Sequence, residues 1–210
     1  RKGGADLIQA RIAARNRGVD PEHHDDESRG SDGPADDALE VITPGVDKIR
    51  GQATPLQKAQ ARRQLGLPEA GFCILFVGND YRKKGLNALL LAVSRLPPDV
   101  YVAVVGDPAQ MPHFRTQAQA LGLAGRVYFL GALRDVGPAY LAADCLAHPT
   151  LEDTFARVVL EAMAHGLPVV VSCARYCGIA ALLMHEVNAL VQDDPLDADA
   201  LAMALGRLKL

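Results

Sequence analysis

Residues 72–106 read FCILFVGNDYRKKGLNALLLAVSRLPPDVYVAVVG, and this stretch decides the fold. It opens with an unbroken apolar run at 72–78 and closes with another at 100–106. Between them Leu86, Leu89, Leu90, Val93 and Leu96 recur at the spacing of one helix face. A strand with no polar side is covered on both faces, which is the condition of a strand inside a parallel sheet. Strand, helix and strand in that order make one βαβ unit.

Working outward, similar short runs stand at 39–43 (LEVIT), 126–131 (RVYFLG), 144–149 (DCLAHP), 168–172 (PVVVS) and 188–192 (NALVQ). Helical spacing returns at 116–123 and 196–208. Strand and helix alternate throughout, so the sequence predicts an α/β domain, a parallel sheet with helices on both faces. Ligands of such sheets sit outside the carboxyl ends of the strands, here the loops that start at Gly78, Gly106, Gly131, Thr150 and Ser172. A glycine closing a strand either lets a ligand approach the backbone or simply turns the chain.

Composition sets the outer limits. The chain has 210 residues, 49% of them apolar and 22% charged, with a formal net charge of -3. A chain this long buries roughly 70% of its unfolded surface and needs neither disulfides nor metal to hold a core. The acidic balance argues against a nucleic-acid partner. No apolar stretch reaches the roughly 20 residues of a membrane-spanning helix, and the first residues carry no signal pattern, so a cytoplasmic protein is expected. Cys73 and Cys145 lie in apolar runs, and the spacing of Cys173 and Cys177 matches neither a redox pair nor half of a zinc site. Residues 21–38 are acidic, Ser/Gly/Pro-containing and almost free of apolar side chains, and read as a polar linker. The His23-His24-Asp25-Asp26 cluster inside it is read as part of that solvated tract, and no metal is inferred.

Motifs narrow the chemistry. No G-x-G-x-x-G follows the first strand, and neither a G-x-x-x-x-G-K-[ST] loop nor a G-x-S-x-G elbow occurs. What stands out is the basic loop Gly78-Asn79-Asp80-Tyr81-Arg82-Lys83-Lys84-Gly85. Three cations at a strand's carboxyl end suit a diphosphate, or form a solvated turn. The second signal is DTFARVVLE at 153–161, running through Gly166-Leu167-Pro168 into the next strand. With a helix starting near Phe155, its first amides form an anion site, and Asp153 is either a site residue or their N-cap. Glu161, an acid in an apolar helix, needs a partner, either the vicinal hydroxyls of a ribose or an Arg. Asp197-Ala198-Asp199 has the look of a metal-binding D-x-D but opens an amphipathic run and reads as a helix cap.

Taken together, the YRKKG loop, the FLGALRDV and AADCLAHP segments and the paired acids before Gly166-Leu167-Pro168 resemble the C-terminal domain of family 4 retaining glycosyltransferases of GT-B fold. Within that family the likeness is greatest to enzymes of the lipopolysaccharide core glucosyltransferase I type. The resemblance covers residues 39–210 and implies a Rossmann-like domain that holds a nucleotide-sugar donor, with a UDP-hexose favoured, for transfer to a glycan or lipid-linked acceptor. It implies a protein working in the cytoplasm, with peripheral contact at the inner membrane face, and needing no metal or other cofactor.

By position the resemblance assigns Lys84, with Arg82 or Lys83, to the diphosphate, Glu161 to the ribose hydroxyls and Asp153 to the neighbourhood of the donor sugar. Lys84 and Asp153 are the catalytic candidates. Gly78 and Asn79 border the donor, Ala156, Arg157 and Val158 offer backbone amides, and the loop from Gly131 to Arg134 borders the base. The sequence departs from the family pattern where Asp153 replaces Glu, where Thr154 and Ala156 replace glycine-like positions, and where Asn79 replaces Arg.

Residues 1–20 resemble the glycine-rich loop and first helix of the family's N-terminal acceptor domain, so the domain reading is a remnant at 1–20, the linker at 21–38 and the donor domain at 39–210. His148 and His165 are read as strand-end and helix-end residues. The alternative reading is a noncatalytic nucleotide-binding module that kept the basic loop. A nucleotide-sugar epimerase of the same fold is a third.

Overall fold

The computed structural model describes residues 51–209. The LEVIT run, the 1–20 segment, the linker and its His/Asp cluster lie outside the described residues. Six strands form one sheet: β1 (Phe72–Val77), β2 (Val100–Val105), β3 (Val127–Gly131), β4 (Cys145–His148), β5 (Val169–Ser172) and β6 (Leu190–Gln192). Their order is β3-β2-β1-β4-β5-β6, and every pairing is parallel. This is the Rossmann-like α/β architecture that the apolar runs predict.

The alternation of side chains along each strand divides the core in two. Cys73 and Leu75 of β1, with Tyr101, Ala103 and Val105 of β2, face one layer of helices. That layer comprises α1 (Pro55–Gln64), α4 (Gly137–Ala142) and α5 (Arg157–Ala164). Ile74 and Phe76, with Val102 and Val104, face the other layer, α2 (Leu86–Ser94), α3 (Met111–Ala120) and α6 (Ala198–Lys209). Each of those strand residues is at most 4% exposed, which is why no strand needed a polar side.

Two helices were absent from the sequence expectation. α1 starts at a capping box in which Thr54 and Gln57 exchange hydrogen bonds, with Pro55 in its first turn. It buries Ala61 and the guanidinium of Arg62 rather than an apolar stripe. Arg62 donates to the Ala142 and Glu69 carbonyls and pairs with Asp144 at 2.7 Å. Asp144 also accepts from Lys58 and from the Cys73 amide, so one network ties α1 to the entrances of β1 and β4. α4, at six residues, is too short to show a period.

The helix expected at 116–123 runs instead from Met111 to Ala120, with Pro112 in its first turn. All four cysteines are free thiols. Asp197 caps α6 by accepting from the amides of Asp199 and Ala200, as the D-x-D reading required.

Candidate functional site

Successive strands step from β1 to β3 on one side of the sheet and from β4 to β6 on the other, so the chain reverses direction across the sheet between β1 and β4. At that point the loops leaving the two strands line a crevice beyond the sheet's carboxyl edge. The loop after β1 is folded on itself by Asp80, whose side chain accepts from the Lys83 amide while its carbonyl accepts from that of Lys84. Tyr81 is driven entirely inside, against Phe76 and Phe114. That leaves Arg82 and Lys83 exposed and turns Lys84 toward the crevice.

Glycines permit the two loops to meet. Gly85 has φ +83, and a Cβ there would lie 1.9 Å from the Pro149 carbonyl oxygen of the β4 loop. At Gly78 a Cβ would lie 2.8 Å from Cγ of Lys84, so the lysine stem crosses directly over it. The loops are then stitched together: Leu151 N–H donates to the Lys83 carbonyl, and the buried Thr150 hydroxyl lies 3.2 Å from the same oxygen.

Both carboxylate oxygens of Asp153 are committed. Oδ1 accepts from the amides of Phe155 and Ala156, and Oδ2 accepts from Lys84 Nζ at 2.8 Å and His148 Nε2 at 3.1 Å. Burial alone would push this carboxyl up, but the bonds and charges of His148 and Lys84 outweigh it and hold Asp153 well below the usual carboxylate range. Burial pushes the His148 imidazole down, against the hydrogen bond and charge of Asp153. Lys84 also donates to the Glu152 carbonyl, which leaves one of its three N–H groups for a ligand.

α5 begins at Arg157, later than expected, because Ala156 occupies the left-handed region at φ 62. This is the glycine-like conformation noted at that position in the sequence. The Ala156 amide, expected to face a ligand, is instead spent on Asp153. The amides of Arg157 and Val158, in the first turn of α5, have no acceptor within the helix.

The loops and the start of α5 wall a cavity of about 590 Å³, within the range that takes a small-molecule ligand. Of the residues singled out in the sequence, Gly78, Asn79, Lys83, Lys84, Asp153, Ala156, Arg157 and Val158 line it. Arg82, Gly131, Arg134 and Glu161 do not. Gly131 ends β3, two strands away from β1, and Arg134 is exposed beyond it. Glu161 sits one turn further along α5 with its side chain 31% exposed, accepting from the Tyr140 hydroxyl at 2.8 Å and facing Arg157 at 3.8 Å.

Sequence reasoning missed His148 as a site residue. It is the last residue of β4, 1% exposed, and lies in the cavity wall. A histidine inside an apolar strand must find a polar partner, which was the available signal. His165, as expected, ends its helix, where Nδ1 lies 2.7 Å from the Glu161 carbonyl. Among the described residues no group of three or more His, Cys, Asp or Glu is placed to hold a metal ion, and no helix is long and apolar enough to cross a membrane.

The family model for glycosyl transferases group 1 matches residues 57–209. The chain is 35% identical over 188 residues to the D-inositol 3-phosphate glycosyltransferase of Salinispora tropica, which covers 81% of this chain and 38% of that protein. It is 28% identical over 169 residues to the lipopolysaccharide glucosyltransferase WaaG of Escherichia coli, covering 78% of this chain and 44% of that protein. The chain thus spans less than half the length of these curated relatives. The crystal structure of Anabaena Alr3699/HepE in complex with UDP is similar at a TM-score of 0.67 and 30% identity, covering 74% of this chain and 43% of that one.

Proposed function

The chain belongs to the glycosyl transferases group 1 family, and from that premise we propose that residues 39–210 are the donor domain of a retaining hexosyltransferase of GT-B architecture. One observation carries the reading: at the β1/β4 switch point, Lys84 and the free amides of Arg157 and Val158 line one cavity. A lysine and a helix N-terminus side by side favour a nucleoside diphosphate, which carries its charge on the phosphates. Uracil is the favoured base because the similar HepE structure holds UDP.

In transfer, the bond between the anomeric carbon and the β-phosphate oxygen breaks and its electron pair leaves with the diphosphate, while the acceptor oxygen bonds to the anomeric carbon and gives its proton to the departing diphosphate. Lys84 stabilises the charge that develops on the leaving diphosphate, with Lys83 and Arg82 as outer cations. Asp153 keeps the Lys84 ammonium at the cavity wall and lies beside the donor sugar. Glu161 receives the ribose hydroxyls, Gly78 and Asn79 border the sugar, and the Gly131 to Arg134 loop borders the base. On this reading neither metal nor cofactor is required. The acceptor is a glycan or a lipid-linked glycan of cell-envelope polysaccharide synthesis, met at the inner face of the membrane, with residues 1–20 as part of the acceptor side.

Calorimetric titration of the purified chain with UDP, GDP and ADP tests the reading. Selective binding of UDP is expected. Binding of none of the three would overturn it.

A further inference from the structure

Tyr140 lies on α4, 2% exposed, and belongs to no motif singled out in the sequence. Its hydroxyl is 2.8 Å from Glu161 Oε2 and 3.5 Å from the Val158 carbonyl. Its ring stacks on His165 with centroids 4.8 Å apart and planes at 20°. His165 is held in turn on the Glu161 carbonyl at 2.7 Å. The phenol is thus locked from two directions: α4 supplies its backbone, and the end of α5 supplies the surface it stacks on.

Burial and then the neighbouring Glu161 carboxylate push Tyr140 up from its ordinary value, which keeps its hydroxyl a hydrogen-bond donor at neutral pH. The consequence falls on Glu161. A glutamate side chain on a helix surface samples several rotamers, but here one oxygen is pinned to Tyr140. The other, Oε1, faces only the exposed Arg157 at 3.8 Å, beyond hydrogen-bond distance.

We propose that Tyr140 is a positioning residue for Glu161: it fixes one carboxylate oxygen so that the other is presented to a vicinal diol, and thereby makes the site select ribonucleoside over deoxyribonucleoside diphosphates. This rests on the donor-site reading above, in which Glu161 meets the ribose. Pinning one oxygen before the ligand arrives removes the ordering cost that a free carboxylate meets on binding.

The test compares UDP with 2′,3′-dideoxyuridine diphosphate, which lacks the diol, by calorimetry on the wild-type chain, Tyr140→Phe and Glu161→Gln. Thermal melts verify that each variant is folded, and Tyr140→Phe keeps the ring that stacks on His165. The wild type is expected to prefer UDP. Tyr140→Phe is expected to lose about tenfold in UDP affinity, the scale of one hydrogen bond to a charged group, with affinity for the dideoxy analogue unchanged. An equal loss for both nucleotides would show a structural role and overturn the proposal. So would a wild-type preference retained in Tyr140→Phe but abolished in Glu161→Gln, an outcome that leaves the donor-site reading intact. If the wild type binds UDP but does not discriminate between the two nucleotides, the ribose contact itself fails, and the positioning role fails with it.

Discussion

Nζ of Lys84 and Oδ2 of Asp153 stand 2.8 Å apart across the crevice, one from the loop after β1 and the other from the loop after β4, although 69 positions separate them in sequence. This pair joins the two halves of the sheet at the point where, among the described strands, strand order reverses. It also keeps a cation at the cavity wall when no ligand is bound. Its geometry depends on how closely the two loops approach, and that approach depends on glycine.

Gly85→Ala should therefore be severe. The new Cβ meets the Pro149 carbonyl oxygen at 1.9 Å in a backbone at φ +83. Left-handed strain and the clash together are expected to cost about 3 kcal/mol. Urea denaturation checks the stability, and a UDP titration on the fraction that remains folded should show weakened binding because the loops have been pushed apart.

Arg62→Met separates stability from function. Arg62 is 4% exposed and supports the strand entrances, at the opposite end of the sheet from the crevice. Removing it leaves carbonyl groups unpaired and takes one partner from Asp144, at an expected cost of about 3 kcal/mol or more. Denaturation should register that loss, while nucleotide affinity of the folded protein should be unchanged.

Acidification should destabilise the domain in two stages. The folded pKa of His148 lies below its ordinary value of 6.5, so the unfolded chain binds the proton first and stability declines as pH falls below about 6.5. That of Asp153 lies below its ordinary 3.8, so its contribution is present above that pH and is lost as pH falls further. Denaturation midpoints measured from neutral pH downward check the direction. In His148→Gln the first decline should be smaller.

Much of this architecture was legible in the sequence because parallel strands announce themselves locally. FCILFVG at 72–78 became Phe72–Val77, and PVVVS at 168–172 became Val169–Ser172. α1 and α4 were not legible by period. The first buries a charged side chain against Asp144, 82 positions away, and the second is one and a half turns long. The site divides in the same way. Lys84 and Asp153 could be named because each lies in a patterned loop, and their pairing could not, because it is made only when β1 and β4 become neighbours. Glu161 was seen to need a partner. That partner, Tyr140, sits on the unread helix α4.

The central claim is that Lys84 serves a diphosphate at the switch point, and titration of wild type and Lys84→Ala with UDP and with uridine tests it most directly. Lys84→Ala, verified as folded, is expected to bind UDP at least about tenfold more weakly, the scale of one charge-assisted contact, while the much weaker affinity for uridine is unchanged. Equal UDP affinity in the two proteins would contradict it.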